Sequence, residues 1–211
     1  IDFSQMTVSI VGIQSDVIRD GKPLIGYGFN SNGRYSQSGI LRDRFIPRLL
    51  KAEPDAILSD HGTNFDPIKA WDIMMANEKP GGHGERSVAV GVLDMALWDL
   101  VAKIEDKPLY QLLGDRYRKG EVDEQVFVYA AGGYYYPGKD VSKLQDEIKT
   151  YLDMGYTNVK IKIGGVSLED DLKRIEAVID VVGSGQSLAV DANGRFDLKE
   201  AIRYAEALEP Y

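Results

Sequence analysis

The sequence predicts an α/β chain: an N-terminal α+β domain over residues 1–120, then the first part of a TIM-like (β/α) barrel over residues 121–211, incomplete in this chain. Three observations lead there. In the C-terminal part, strand patterns alternate with helical stripes, which makes successive strands parallel and puts their C-terminal ends on one face. Polar residues gather at those ends, where barrels carry their chemistry. No glycine-rich phosphate fingerprint follows any strand, which weighs against a dinucleotide site, although a doubly wound sheet remains compatible with the pattern.

Thr7 to Val17 reads as a strand, Asp20-Gly21 as a turn and Leu24 to Phe29 as the returning strand of an antiparallel hairpin. Helical patterns follow at Gly39 to Lys51, Pro67 to Ala76 and Glu85 to Ile104, the last with Ala89, Leu93, Ala96, Leu97, Leu100 and Val101 along one stripe. Strands followed by helices indicate an α+β domain, and the polar stretch Asp115 to Glu124 reads as the linker. Val126 to Ala130 is then expected as a strand, and Val141 to Met154 as a helix with Leu144, Ile148, Tyr151 and Leu152 inward, stopped by Gly155.

The next strand is Val159-Lys160-Ile161-Lys162-Ile163. Ser167 to Gly183 follows as a helix, with Ser167 and Asp170 as a capping-box pair and Leu168, Leu172, Ile175, Ile179 and Val182 inward. Ala189-Val190-Asp191 ends a further strand. Asp197 caps a third helix, with Glu200 at N3 and Ala201, Tyr204, Ala205 and Leu208 on its apolar face. A closed barrel takes eight strands and roughly 250 residues, so three units are expected to belong to a longer polypeptide. The first residue, Ile1, is not a methionine, and residues are expected to be missing at both ends.

With 44% hydrophobic and 27% charged residues the chain has the apolar material for a core. A net charge of -8 without a basic stripe argues against nucleic acid. No apolar run of membrane-spanning length and no signal-peptide pattern is present, so no membrane partner and a cytoplasmic location are expected. The absence of cysteine removes thiol catalysis and thiolate metal sites. A metal would then be held by oxygen or histidine, which suits a hard cation such as magnesium.

In a strand, Lys160 and Lys162 share one face while Val159, Ile161 and Ile163 take the other. Enclosure and mutual repulsion of two such ammonium groups lower a lysine pKa, which makes a neutral amine available as a general base. Asp191, at the end of the adjacent parallel strand, could hold a cation beside them. Each half alone has a plainer reading: a half-solvated strand, and a strand ending in an Asx turn. The same lysine pair would also serve a Schiff-base aldolase.

The K-x-K strand, the Val190-Asp191-Ala192-Asn193-Gly194 strand end and the α+β domain ahead of them resemble the mandelate racemase branch of the enolase superfamily, over nearly the whole chain. The resemblance implies a capping domain followed by a (β/α)7β barrel. It also implies Lys162 as general base, Lys160 as its electrostatic partner, and Asp191 as the first of three carboxylate ligands to Mg2+, with Asn193 near metal and substrate. Asn32 and Lys79, on loops of the first domain, match residues that close over the substrate, and Tyr136 is a candidate for the same role. The other two ligands and a histidine acid are expected beyond Tyr211.

Three segments, Tyr27 to Tyr35, Asn77 to Arg86 and Val128 to Gly138, narrow the resemblance to dehydratases of D-tartrate. They imply magnesium-dependent dehydration of D-tartrate to oxaloacetate, by α-proton abstraction and β-elimination of hydroxyl. Another acid-sugar dehydratase, or a racemase, is the alternative within the superfamily; outside these, the alternatives are a Schiff-base aldolase or an inactive truncated homologue. The expected partners are a small dicarboxylic acid substrate and further copies of the chain in a homo-oligomer. On their own, Asn32-Gly33 is a turn signal, Gly81-Gly82 with Gly84 a flexible loop, His61 and His83 surface or loop histidines, and the triple tyrosine a packing element at the barrel rim.

Overall fold

The Asp20-Gly21 turn folds the chain back on itself as expected: both residues have positive φ (51° and 73°), the two-residue geometry that matches strand twist. It joins β1 (Ile10–Arg19) to β2 (Lys22–Phe29), antiparallel, with Arg19 opposite Lys22 and Ile10 opposite Phe29. The first strand therefore begins and ends later than Thr7 to Val17. This computed structural model describes residues 3–81 and 84–211; His83 and Gly82 lie outside the described residues. The chain forms two compact units, Ile1–Asp123 and Glu124–Tyr211.

In the first unit a helical run follows the hairpin: α1 (Gln37–Ile40), a π-helical stretch (Leu41–Phe45) and α2 (Ile46–Leu50). The short α3 (Pro54–Ile57) has no counterpart in the sequence reading. α4 (Pro67–Met75) starts with Pro67 in its first turn and Asp66 as a cap whose carboxylate accepts from the Ile68 and Lys69 amides. α5 (Arg86–Ile104) buries the whole expected stripe, from Ala89 to Val101. β2 lies directly on α5: a Cβ at Gly26 would fall 2.1 Å from the Ala96 carbonyl oxygen, and one at Gly28 2.1 Å from that of Val92, so only glycine permits this approach. α6 (Leu109–Tyr117) occupies the start of the stretch read as linker. Leu112 and the close approach of Gly114 to Val122 tie it down, which polar composition alone concealed.

The second unit is a three-stranded parallel sheet in the order β3-β4-β5, with β3 (Ala130–Gly132), β4 (Val159–Lys162) and β5 (Leu188–Asp191). α7 (Val141–Asp153), α8 (Leu168–Val182) and α9 (Leu198–Leu208) follow the strands in turn. The expected strand Val126 to Ala130 is corrected. Pairing starts at Ala130 opposite Val159, because β4 offers no partner further back, and Val126 to Tyr129 stay exposed. Ala130, Leu144, Ile148, Val159, Ile161 and Val178 lead the core, on the face of β4 away from its lysines. The helix caps are as read: Ser167 Oγ accepts from the Asp170 amide at 3.2 Å and donates to its carboxylate at 2.8 Å, and Asp197 accepts from the Glu200 amide. The inward stripe of α8 differs. Leu172 is only half-buried, and Asp171 and Arg174 are buried with Ile175 and Val178. On α9 Tyr204 is buried and Leu208 partly so, but Ala201 and Ala205 are exposed.

Candidate active site

Parallel pairing sets Lys162 opposite Asp191 and Lys160 opposite Ala189, so the K-x-K pair and the Val-Asp strand end meet at the C-terminal edge of the sheet. Lys162 Nζ donates to Asp191 Oδ2 at 2.7 Å and to Asn193 Oδ1 at 2.8 Å, and Lys160 Nζ donates to the same Asp191 oxygen at 3.2 Å. The other oxygen of Asp191 accepts the Asn193 amide at 2.8 Å, with Asn193 at φ 50°. The Asx turn and the charged site are thus one structure: the turn aims the Asn193 side chain back at the lysine. Lys162 is 8% exposed, a burial lysine tolerates only when paired.

The electrostatics correct one expectation. Asp191, not mutual repulsion, dominates Lys160: its hydrogen bond holds the amine above the usual lysine value against the lowering effect of burial. In return, the hydrogen bond from Lys162, with the Asn193 amide, holds the Asp191 carboxyl well below the carboxylate range. Two aromatic faces complete the cluster, Tyr129 5.5 Å from Lys160 Nζ and Tyr134 5.3 Å from Lys162 Nζ.

The remaining residues singled out from sequence divide between the units. Tyr136 is exposed on the loop after β3, its ring 6.3 Å from that of Tyr134 and 5.3 Å from Lys139 Nζ. Asn32 and Lys79 belong to the first unit and are both exposed there. Lys79 lines a cleft of about 460 Å³ with Arg44, Arg48, Asn77, Glu78 and Arg86. Its loop is anchored, since Arg86 donates to the Lys79 carbonyl at 2.8 Å and also to the Gly81 carbonyl. His61 is an exposed turn residue.

A divalent cation is the group the lysine-carboxylate pattern implies. Asp191, ionised and at the open end of the sheet, fits as one hard oxygen ligand, with the Asn193 amide oxygen beside it. Among the described residues no group of three or more His, Cys, Asp or Glu side chains converges, so the full ligand set is not found within them. Among the described residues, no helix is long and apolar enough to cross a membrane.

Sequence reading missed the groups behind β4. Tyr135, Asp171, Arg174 and Tyr204 form a buried polar network under the Lys162 backbone. The available signal was a pair of charges, Asp171 and Arg174, inside the apolar stripe of α8, where a solvated helix face would not place them.

Two family models match this chain: "Mandelate racemase / muconate lactonizing enzyme, N-terminal domain" over residues 18–114 and "Enolase C-terminal domain-like" over residues 143–211. Arabinonate dehydratase from Saccharolobus solfataricus is 40% identical over 140 residues, which is 66% of this chain and 36% of that protein. Among solved structures, a racemase from Streptomyces coelicolor with bound magnesium superposes with a TM-score of 0.69 at 25% identity, over 96% of this chain and 52% of that one. L-talarate dehydratase from a Polaromonas species, complexed with Mg and L-glucarate, gives 0.68 at 25% identity over 97% and 52%. The chain thus spans about half the length of the solved structures it matches.

Proposed function

Because the chain belongs to the mandelate racemase/muconate lactonizing enzyme family of the enolase superfamily, with a capping domain followed by part of the barrel domain, we propose that it carries the base side of an acid-sugar dehydratase site. The observation that carries this reading is the contact of Lys162 with Asp191 and Asn193 at the C-terminal ends of adjacent parallel strands. The α-proton of a sugar acid lies beside a carboxylate and is barely acidic, since its removal adds charge to an anion. Lys162, as a neutral amine, takes that proton; the electrons form a carbon-carbon double bond as the β-hydroxyl takes a proton from the histidine acid expected beyond Tyr211 and leaves as water, and the enol becomes a 2-keto acid. Lys160 holds positive charge beside the growing anion. The positioned base is worth about 10²–10⁴-fold. Magnesium bound at Asp191, with Asn193 beside it, would supply charge stabilisation at the substrate carboxylate. Lys79 and Asn32 are assigned to substrate binding, with Tyr136 as a further candidate.

The D-tartrate reading rests on the three loop segments, and it is the narrower form of this proposal. Arabinonate and talarate, named for relatives, fit the same chemistry. The experiment is a panel of D-tartrate, arabinonate, galactarate and L-talarate, given to the full-length protein in deuterated water with magnesium. A 2-keto acid product with EDTA-sensitive deuterium uptake at the α-carbon supports the reading. Borohydride trapping of substrate on a lysine, insensitive to EDTA, would replace it with an aldolase. The racemase relative gives a second reading in the same site, marked by α-deuteration without loss of water.

A further inference from the structure

Among the described residues Asp171 is the one carboxylate with no exposure at all, and the chemistry proposed above makes no use of it. A carboxylate in such a place is strongly disfavoured unless its oxygens are fully bonded, and an apolar residue of similar volume often stabilises more. Its bonds run to particular places. Oδ2 accepts the Gly164 amide at 2.7 Å and the Tyr204 hydroxyl at 3.0 Å; Oδ1 accepts the Tyr135 hydroxyl at 2.5 Å. Arg174 Nε stands 3.6 Å from Asp171, too far for a hydrogen bond, and has no other partner. The guanidinium instead sends Nη2 to the Gly133 carbonyl at 2.6 Å and, more weakly, to the Lys162 carbonyl at 3.4 Å, and it lies over the Tyr135 ring at 4.2 Å. The Tyr135 hydroxyl is 3.2 Å from the same Lys162 carbonyl.

These contacts converge on the last residue of β4. The Lys162 carbonyl accepts weakly from Arg174 and lies 3.2 Å from the Tyr135 hydroxyl, whose one hydrogen goes to Asp171; two residues later Asp171 binds the Gly164 amide, where the chain turns at φ 79°. A lysine amine sits at the end of four methylenes, so its reach is set by the backbone from which it starts. A shift of about 1 Å there costs on the order of 10²-fold in rate.

We propose that Asp171, acting through Tyr135 and Arg174, is a positioning device for Lys162: it locks the carbonyl end of β4 so that the amine is delivered to Asp191, Asn193 and the substrate. The kinetic part rests on Lys162 being the base; the structural part does not. Burial, with the hydrogen bond to Asp171, pushes the Tyr135 hydroxyl up to about 12, so it remains a proton donor throughout the working range.

The test uses the full-length protein with Tyr135→Phe, which keeps the ring and removes the hydroxyl, and Asp171→Asn, which keeps the shape and removes the charge. Ile175→Val, in the same helix and core, reports what loss of packing alone does. The first readout is the 15N signal of the Lys162 side-chain nitrogen, which Asp191 and Asn193 hold in the wild type. It should broaden or shift in both variants and persist in Ile175→Val, with the Lys103 signal unchanged throughout. The second is α-proton exchange on the acid sugar the wild type handles fastest: kcat should fall by about 10–100-fold with KM within about threefold. Should Asp171→Asn fail to fold, Tyr135→Phe carries both readouts. An unmoved Lys162 signal in a cooperatively folded Tyr135→Phe protein overturns the proposal. If the wild type exchanges no α-proton, the dehydratase reading has failed, and the nitrogen signal alone decides whether the network positions Lys162.

Discussion

Glu78 in the first unit and Asp191 in the second each draw several cations, and they differ in which cation. Glu78 takes Arg48 at 2.9 Å, Arg86 at 3.1 Å and Arg44 at 3.4 Å, with its side chain 10% exposed. Asp191 takes two lysines, with its side chain 30% exposed. Guanidinium keeps its proton at any working pH and offers a rigid fork, so the Glu78 cluster is a permanent clamp on the loop that carries Lys79. An ammonium can lose its proton, and an open carboxylate can change partners. Counting charges around a carboxylate therefore does not separate a clamp from a reacting centre; proton lability and access do.

The largest test of that contrast is Lys162→Ala, which should remove dehydration and α-proton exchange by about 10²–10⁴-fold or more, in a protein that still unfolds cooperatively. Exchange that persists at the wild-type rate would assign the base elsewhere. Lys79→Ala comes next. On the proposed substrate-binding role it removes the partner of a substrate anion, so kcat/KM should fall by about 10–100-fold, with exchange surviving at saturating substrate. Loss of exchange even at saturation would move Lys79 into the chemistry.

Glu78→Gln should act on stability instead, by about 2 kcal/mol in urea, leaving exchange at saturation intact. Burial raises the Glu78 carboxyl, but bonds from Arg86 and Arg48 outweigh it, so the group titrates below its ordinary 4.5. A carboxyl depressed by folding stabilises fully above the ordinary value and loses that contribution as pH falls through the folded one. The wild-type urea midpoint should therefore drop on acidification below about 4.5, with a shallower slope in Glu78→Gln; parallel slopes would show that Glu78 is not the titrating clamp. The smallest effect is Ser167→Ala, about 1 kcal/mol from a lost helix cap, with kcat unchanged.

How far sequence carried the reading follows the range of the interactions. The hairpin, α5 and the parallel β4-α8-β5 unit were legible because turn, stripe and cap are written within a few residues: Asp20-Gly21, Ala89 to Val101, Ser167-Asp170. The meeting of Lys162 with Asp191 was legible because a βαβ unit makes its strands parallel and puts their C-terminal ends on one face, while Asn193 was implied by the family resemblance and the register came from the structure. The strand at Val126 failed because β-patterning cannot report where the partner strand stops. α6 failed because its apolar contacts are few and its surroundings polar. The Asp171 network was missed because its partners, Tyr135 and Tyr204, lie 36 and 33 residues away in sequence.

The bare backbone contact of β2 with α5 also bears on biosynthesis. The Tyr27 amide finds its acceptor in Asp99, 72 residues later, and Gly26 and Gly28 stay uncovered until that helix arrives. At roughly 5–20 residues per second on the ribosome, the hairpin waits about 4–14 s for its lid. During that interval Val11 and Ile13, which pack against the cluster of Ala89, Val90 and Leu93 in the folded unit, stand on an unshielded two-stranded ribbon, the form least able to persist alone. The nascent chain is therefore most open to chaperones, and to misassociation with neighbouring chains, before residue 104 has been made.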